Sequence, residues 1–136
     1  FLAEDSAVIR ERVEQELASA NYTRVVSFPN GQECFDRITE LQDEAHGKGK
    51  ALSDSLSALI TDIEMPAMDG LSLCRSLKEL LLVKDIPVII FSSLINDQIA
   101  QKCNDVGAEA YISKPQFAKL VDLLDKHCLG TRNPRP

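Results

Sequence analysis

Four polar positions in this chain stand just past short apolar runs: the pair Glu4-Asp5 after "FLA", Asp62 after "ALIT", Ser92 after "VIIF" and Lys114 beyond "AYI". If those runs are parallel strands of one open sheet, their carboxyl ends border a single crevice and the four positions meet there. Three carboxylates gathered in one place repel and raise one another's pKa unless a divalent cation or Lys114 compensates. The set therefore predicts a cation. A site of few hard oxygen ligands suits Mg²⁺, which keeps several waters and shares its shell with a phosphate. A phosphoryl group is the expected guest.

Such a meeting depends on the elements that carry these residues. The β-type runs are Tyr22 to Phe28, Ala58 to Thr61, Val88 to Phe91 and Ala110 to Ile112, with Phe1 to Ala3 as the end of another. Between them apolar residues recur at helical spacing: Ile9, Val13, Leu17; Cys34, Phe35, Ile38, Leu41; Leu73, Cys74, Leu77, Leu80, Leu81; Ile99, Cys103; and Phe117, Leu120, Val121, Leu124, Cys128. Strict alternation of five strands with five helices predicts an α/β fold, a doubly wound parallel sheet with helices on both faces, because right-handed crossovers drive the helices outward. Pro29-Asn30-Gly31 breaks strand two from helix two, Pro87 opens strand four, Asn96-Asp97 caps the fourth helix and Gly107 ends it. Residues 45–57, "AHGKGKALSDSLS", lose periodicity and are expected as a flexible surface loop. One domain over residues 1–128 is expected, with 129–136 as a disordered tail.

Composition removes several classes of function. The net charge is −6, from 21 acidic against 15 basic residues, so little is available to release counterions from a nucleic-acid backbone. No apolar run approaches the roughly 18 residues of a membrane span. Cys34, Cys74, Cys103 and Cys128 form no CxxC pair and fall in helical patterns, which predicts reduced thiols in a cytoplasmic protein rather than disulfides or zinc. His46, in the loop, and His127, near a helix end, have no company that would make a site.

Taken together, "AEDS", "LITDIEMPAMDG", "VIIFSS" and "YISKP" resemble the receiver domain of two-component response regulators, over essentially the whole chain. Singly, each residue has an ordinary structural explanation: a strand-end Asp caps a helix, a Lys-Pro makes a turn, a Tyr fills a core. Their joint order carries the resemblance, which implies the flavodoxin-like receiver fold with strand order 2-1-3-4-5. By that resemblance Asp62 is the aspartate that accepts a phosphoryl group from a histidine kinase. Asp5, with Glu4 through water, would hold Mg²⁺ together with Asp62 and the backbone carbonyl of Glu64. Lys114 would neutralise charge on the transferring group, Ser92 would offer it a hydroxyl, and Ser93 would leave access open. Tyr111 resembles a switch aromatic that turns inward when Ser92 moves. Pro66 and Gly70 would shape the turn after Asp62, leaving its carboxylate exposed, with Leu71 starting the next helix.

"DIEMPAMDGL", "IPVIIFSSLIN" and "ISKPQ" further resemble the receiver at the C-terminal end of CheV-type chemotaxis proteins. This implies the histidine kinase of a chemotaxis system as donor, with a CheW-like N-terminal coupling domain and chemoreceptor complexes as partners. The start at Phe1, without Met, fits a piece of such a longer protein. The expected activity is that of a phosphoacceptor with self-dephosphorylation at most, not an enzyme. Two other readings stand beside it. A degenerate receiver that binds partners without phosphorylation is expected to lose Asp62 or Lys114. A phosphotransferase of the haloacid dehalogenase type is expected to carry DxDx[TV] on its first strand and a cap domain.

Overall fold

The computed structural model describes residues 1–80, 83 and 85–129. Five strands form one parallel sheet: β1 (Leu2–Ala3), β2 (Ser27–Phe28), β3 (Leu59–Thr61), β4 (Val88–Ser92) and β5 (Ala110–Ser113). Their spatial order is β2-β1-β3-β4-β5, so the direction of winding reverses beside β1. The register aligns Ala3 with Thr61, Thr61 with Ile90, and Ser92 with Ser113. The residues just past β1, β3, β4 and β5 consequently leave the sheet along one edge, where parallel strands place their carboxyl ends.

Helices α1 (Ala7–Ser19), α2 (Gly31–Gly47), α3 (Gly70–Arg75), α4 (Asp97–Asp105) and α5 (Phe117–Leu124) connect and cover the strands. Four of the five begin on a side chain that accepts an otherwise orphaned amide: Ser6 from Ile9, Asn30 from Glu33, Asp69 from Ser72 and Asn96 from Ile99. Wider π-type turns continue α3 over Ser76–Leu80 and α5 over Asp125–Leu129. Gly107, at φ +87, ends the turn after α4 in a conformation that costs other residues energy.

Alternate strand residues feed two cores. Ala3, Leu59, Val88 and Ile90 pack with Cys34 and Ile38 of α2, Leu73 and Cys74 of α3, and Cys103 of α4. Leu2, Ile60, Ile89 and Phe91 turn to the opposite face and pack with Val13 and Leu17 of α1 and Leu120, Val121 and Leu124 of α5. A strand buried on both faces has no polar alternation, which is why "VIIF" reads as a continuous apolar run. On the α1/α5 face, Phe91 and Phe117 meet edge to face at 5.5 Å, and the Arg12 guanidinium lies 4.6 Å from the Phe117 ring.

Two segments differ from expectation. The second strand, expected over residues 22–28, is reduced to Ser27–Phe28, because a ladder extends only as far as its neighbour and β1 offers two residues to pair. Tyr22 is turned to another purpose: its ring packs on the α1/α5 core and its hydroxyl donates to Asp125 at 2.7 Å. The stretch 45–57 is not a plain surface loop either. Its first residues complete α2, and a 3₁₀ turn at Leu52–Asp54 puts Leu52 and Leu56 into the core. Leu129, expected as the first residue of the tail, still belongs to the turn that continues α5, while the expectations for Leu81 and for residues 130–136 lie outside the described residues.

Candidate phosphoryl-acceptor site

Each acidic residue is delivered by a strand end. The Asp62 amide donates to the Ala3 carbonyl (3.0 Å), carrying the β1–β3 ladder one residue further and fixing Asp62 beside Glu4. The Lys114 amide donates to the Ser92 carbonyl (3.0 Å), doing the same between β4 and β5. Across the edge, the Lys114 ammonium donates to Glu4 Oε1 (2.5 Å) and Asp62 Oδ2 (3.0 Å). The remaining oxygens accept main-chain amides: Ser6 N–H to Glu4 Oε2 (3.1 Å) and Ile63 N–H to Asp62 Oδ1 (2.7 Å). The peptide bond after Lys114, to Pro115, is cis.

The resemblance implied an exposed Asp62 carboxylate, and this needs correction. Asp62 is 7% exposed and Glu4 2%, because Lys114 and the two amides close over them; Asp5 is the exposed member of the acidic set. One oxygen from each of Glu4, Asp5 and Asp62 lies within 4.8 Å of the others. Three carboxylates against one lysine leave an excess of negative charge, so the donor set is hard, oxygen-only and suited to Mg²⁺. Burial pushes the Glu4 carboxyl above its ordinary range; the hydrogen bonds from Lys114 and Ser6 offset this only in part, and the Asp62 charge adds to it. Burial also opposes the charged form of Lys114, but its hydrogen bonds to Glu4 and Asp62 leave its pKa raised.

The other predicted residues stand around this group. Ser92 is buried at the end of β4, and its hydroxyl accepts the Leu94 amide (3.2 Å) rather than meeting the carboxylates. Ser93 and Glu64 are exposed. Tyr111, on β5, is 37% exposed, so its ring lies outward in this state. The turn after Asp62 owes its shape to Gly70, where a Cβ would fall 1.8 Å from the Asp62 carbonyl oxygen, and to Ala67 at φ +68, where the Met68 amide reaches back to the Pro66 carbonyl (2.7 Å).

Sequence reasoning passed over two contributors. Thr61 donates its hydroxyl to the Asp62 carbonyl (2.9 Å), and Arg10 donates to the Glu4 carbonyl (2.8 Å). The available signal for Arg10 was its place five residues after Asp5, early in a helix whose side chains lean toward its N-terminus.

The sheet order, the helices on both faces and the acid-lysine edge define a doubly wound receiver-type domain. Residues 1–125 match the response regulator receiver domain, and the chain belongs to that family. It is 32% identical over 127 residues to a protein-glutamate methylesterase/protein-glutamine glutaminase of Syntrophomonas wolfei, covering 91% of this chain and 32% of that protein. It is 27% identical over 126 residues to the chemotaxis protein CheV2 of Helicobacter pylori, covering 93% of this chain and 37% of that protein. The chain thus spans about a third of the length of either relative. Among solved structures, the receiver domain of the Arabidopsis thaliana histidine kinase CKI1, complexed with Mg²⁺ and BeF₃⁻, superposes with a TM-score of 0.79 at 20% identity, over 93% of this chain and 86% of that one. The likeness in fold is therefore far stronger than the likeness in sequence.

The chain is a receiver domain of the two-component and chemotaxis type, and the expected fold and strand order stand. Among the described residues all four cysteines are free, and no helix is long and apolar enough to cross a membrane.

Proposed function

We propose that Asp62 accepts a phosphoryl group from a histidine kinase of a chemotaxis system, and that the charge change it brings alters a protein-binding surface. The observation that carries this reading is the single ammonium of Lys114 bridging Glu4 and Asp62, with Asp5 beside them. An Asp62 oxygen attacks phosphorus as the P–N bond to the donor imidazole breaks, and the electron pair returns to the imidazole ring. Lys114 lies within reach of the transferring group and balances charge gathering on its oxygens. Asp5, Asp62 and the Glu64 carbonyl, with Glu4 through water, would hold Mg²⁺. The bound ion supplies electrostatic stabilisation of the phosphoryl oxygens. Ser92 would turn its hydroxyl from the Leu94 amide toward the new dianion, leaving space for Tyr111.

No separate catalytic activity is assigned beyond hydrolysis of the domain's own acyl phosphate. Both residues whose loss would mark a degenerate receiver, Asp62 and Lys114, are present and hydrogen-bonded to each other. Asp62 stands after the third strand rather than on the first, which disfavours the haloacid dehalogenase reading. The likeness to the chemotaxis protein CheV2 supports a chemotaxis setting, and the CheV-type resemblance of the sequence is the ground for proposing a CheW-like coupling domain and chemoreceptor complexes as partners and a cytoplasmic location. Intact-mass measurement after incubation with Mg²⁺ and acetyl phosphate tests the acceptor: one phosphoryl is gained by the wild type and none by Asp62→Asn. A gain retained in that variant and mapped to another residue overturns the assignment.

A further inference from the structure

The Asp5 carboxylate is the exposed member of the acidic cluster, and no side chain or amide among the described residues is hydrogen-bonded to it. The backbone of the short connection between β1 and α1 directs its Cα–Cβ bond and so the space its carboxylate can sweep. Glu4 differs, since its carboxylate is held by both Lys114 and the Ser6 amide. What holds the connection itself is Arg10, one turn into α1. Its Nη1 donates to the Glu4 carbonyl at 2.8 Å and, at a longer 3.4 Å, to the Asp5 carbonyl. The Arg10 amide also donates to the Ser6 carbonyl (2.9 Å), so main chain and side chain of one residue secure three successive carbonyls.

We infer that Arg10 is a positioning residue for the acid pair, fixing the Glu4 and Asp5 peptide planes so that the Asp5 carboxylate stays aimed at Asp62. This rests on the proposed Mg²⁺ site and adds to it the residue that preorganises one arm. One nitrogen, Nη1, serves both carbonyls, and a guanidinium suits the task because its planar, delocalised group holds those two N–H bonds in a fixed geometry, while an ammonium is a freely rotating point donor. Positioning and simple charge have opposite signs here. A cation beside three carboxylates lowers Mg²⁺ affinity by repulsion, whereas a fixed loop raises affinity by removing the cost of ordering Asp5.

The test is an Mg²⁺ titration followed by amide NMR, since the chain has no Trp to report by fluorescence. Wild type, Arg10→Ala and Arg10→Lys are compared, with hydrogen exchange at the Asp5 and Ser6 amides in the metal-free state as a second readout. Positioning predicts a three- to tenfold rise in the Mg²⁺ Kd for Arg10→Ala, a smaller rise for Arg10→Lys, and faster exchange at Asp5 and Ser6 in Arg10→Ala. A Kd that falls in Arg10→Ala shows that charge outweighs geometry and overturns the inference. So does an unchanged Kd accompanied only by a lower Tm, which marks a structural tie. A wild type that does not bind Mg²⁺ removes the proposed metal site itself, a failure distinct from equal binding by wild type and variant.

Discussion

Gly70 and Asp62 touch through their backbones: a Cβ on Gly70 would stand 1.8 Å from the Asp62 carbonyl oxygen and 2.8 Å from its carbonyl carbon. Neither atom belongs to a flexible side chain, so the clash is relieved only by moving the main chain that carries the proposed acceptor. Gly70→Ala is therefore expected to cost about 1–3 kcal/mol in urea unfolding, the range of overpacked or strained interior sites. It should also slow phosphorylation from acetyl phosphate. A variant with wild-type stability and rate would show that the turn yields freely.

Lys114 and Asp5 act on the same charge cluster in opposite directions. Lys114→Met leaves Glu4 and Asp62 buried without their cation, which should cost about 3 kcal/mol at pH 7, as in other broken buried pairs. The loss should shrink toward pH 5. A carboxyl whose pKa is raised by folding binds its proton more tightly in the folded state, so its contribution is present at low pH and lost as pH rises through the folded pKa. Asp5→Ala should melt no lower than wild type while losing the Mg²⁺ titration. Urea melts of both variants from pH 5 to 8 check the signs; a Lys114→Met loss that grows on acidification contradicts this account.

Cys34 and Cys74 give a separate alkaline signature. Burial raises both thiols from an ordinary value of 9.0 to about 12. Above pH 9 the unfolded chain releases protons that the folded chain retains, so stability present below pH 9 declines toward pH 12. Each thiol contributes a slope of about 1.4 kcal/mol per pH unit. Urea midpoints at pH 8, 9 and 10 should fall, and Cys34→Ala should flatten the decline. The same slope in Cys34→Ala and wild type would place the effect elsewhere.

The proposed switch is tested at Tyr111. With Mg²⁺ and beryllium fluoride standing in for the phosphoryl group, amide shifts are expected at Tyr111, along α4 near Ile99 and at Phe117, as well as at Asp5, Asp62 and Lys114. Shifts confined to the last three residues would describe a phosphoryl site without a coupled surface.

The strand pattern and its punctuation were legible because they are local. Asn96 was legible as a helix start and its side chain does accept the Ile99 amide, whereas Asn30, read only as part of a break, and Asp69, which drew no reading, cap α2 and α3 in the same way. The strand-end acids and Lys114 were legible because parallel topology turns sequence position into a shared edge. The burial of Asp62 was not, since it depends on a lysine 52 residues away folding over it. The short β2 was hidden for a similar reason, its length being set by β1 rather than by its own β-prone residues. Leu52 and Leu56 were missed because two apolar residues in a polar stretch make no period; only the 3₁₀ turn reveals that they reach the core.

The hydrogen bond from Lys114 to Glu4 joins residues 110 apart in sequence, tying the end of the last strand to the end of the first. A contact of such separation forms only after the intervening chain has found its place, since loop closure comes before its reward. A nascent or partly folded chain that already has β1 and β3 side by side holds its acids with no lysine among them. On the proposed role of Lys114, competence to receive the phosphoryl group would arrive with the docking of β5, and a chain stalled before that step would stay outside the signalling pool however native its earlier strands have become.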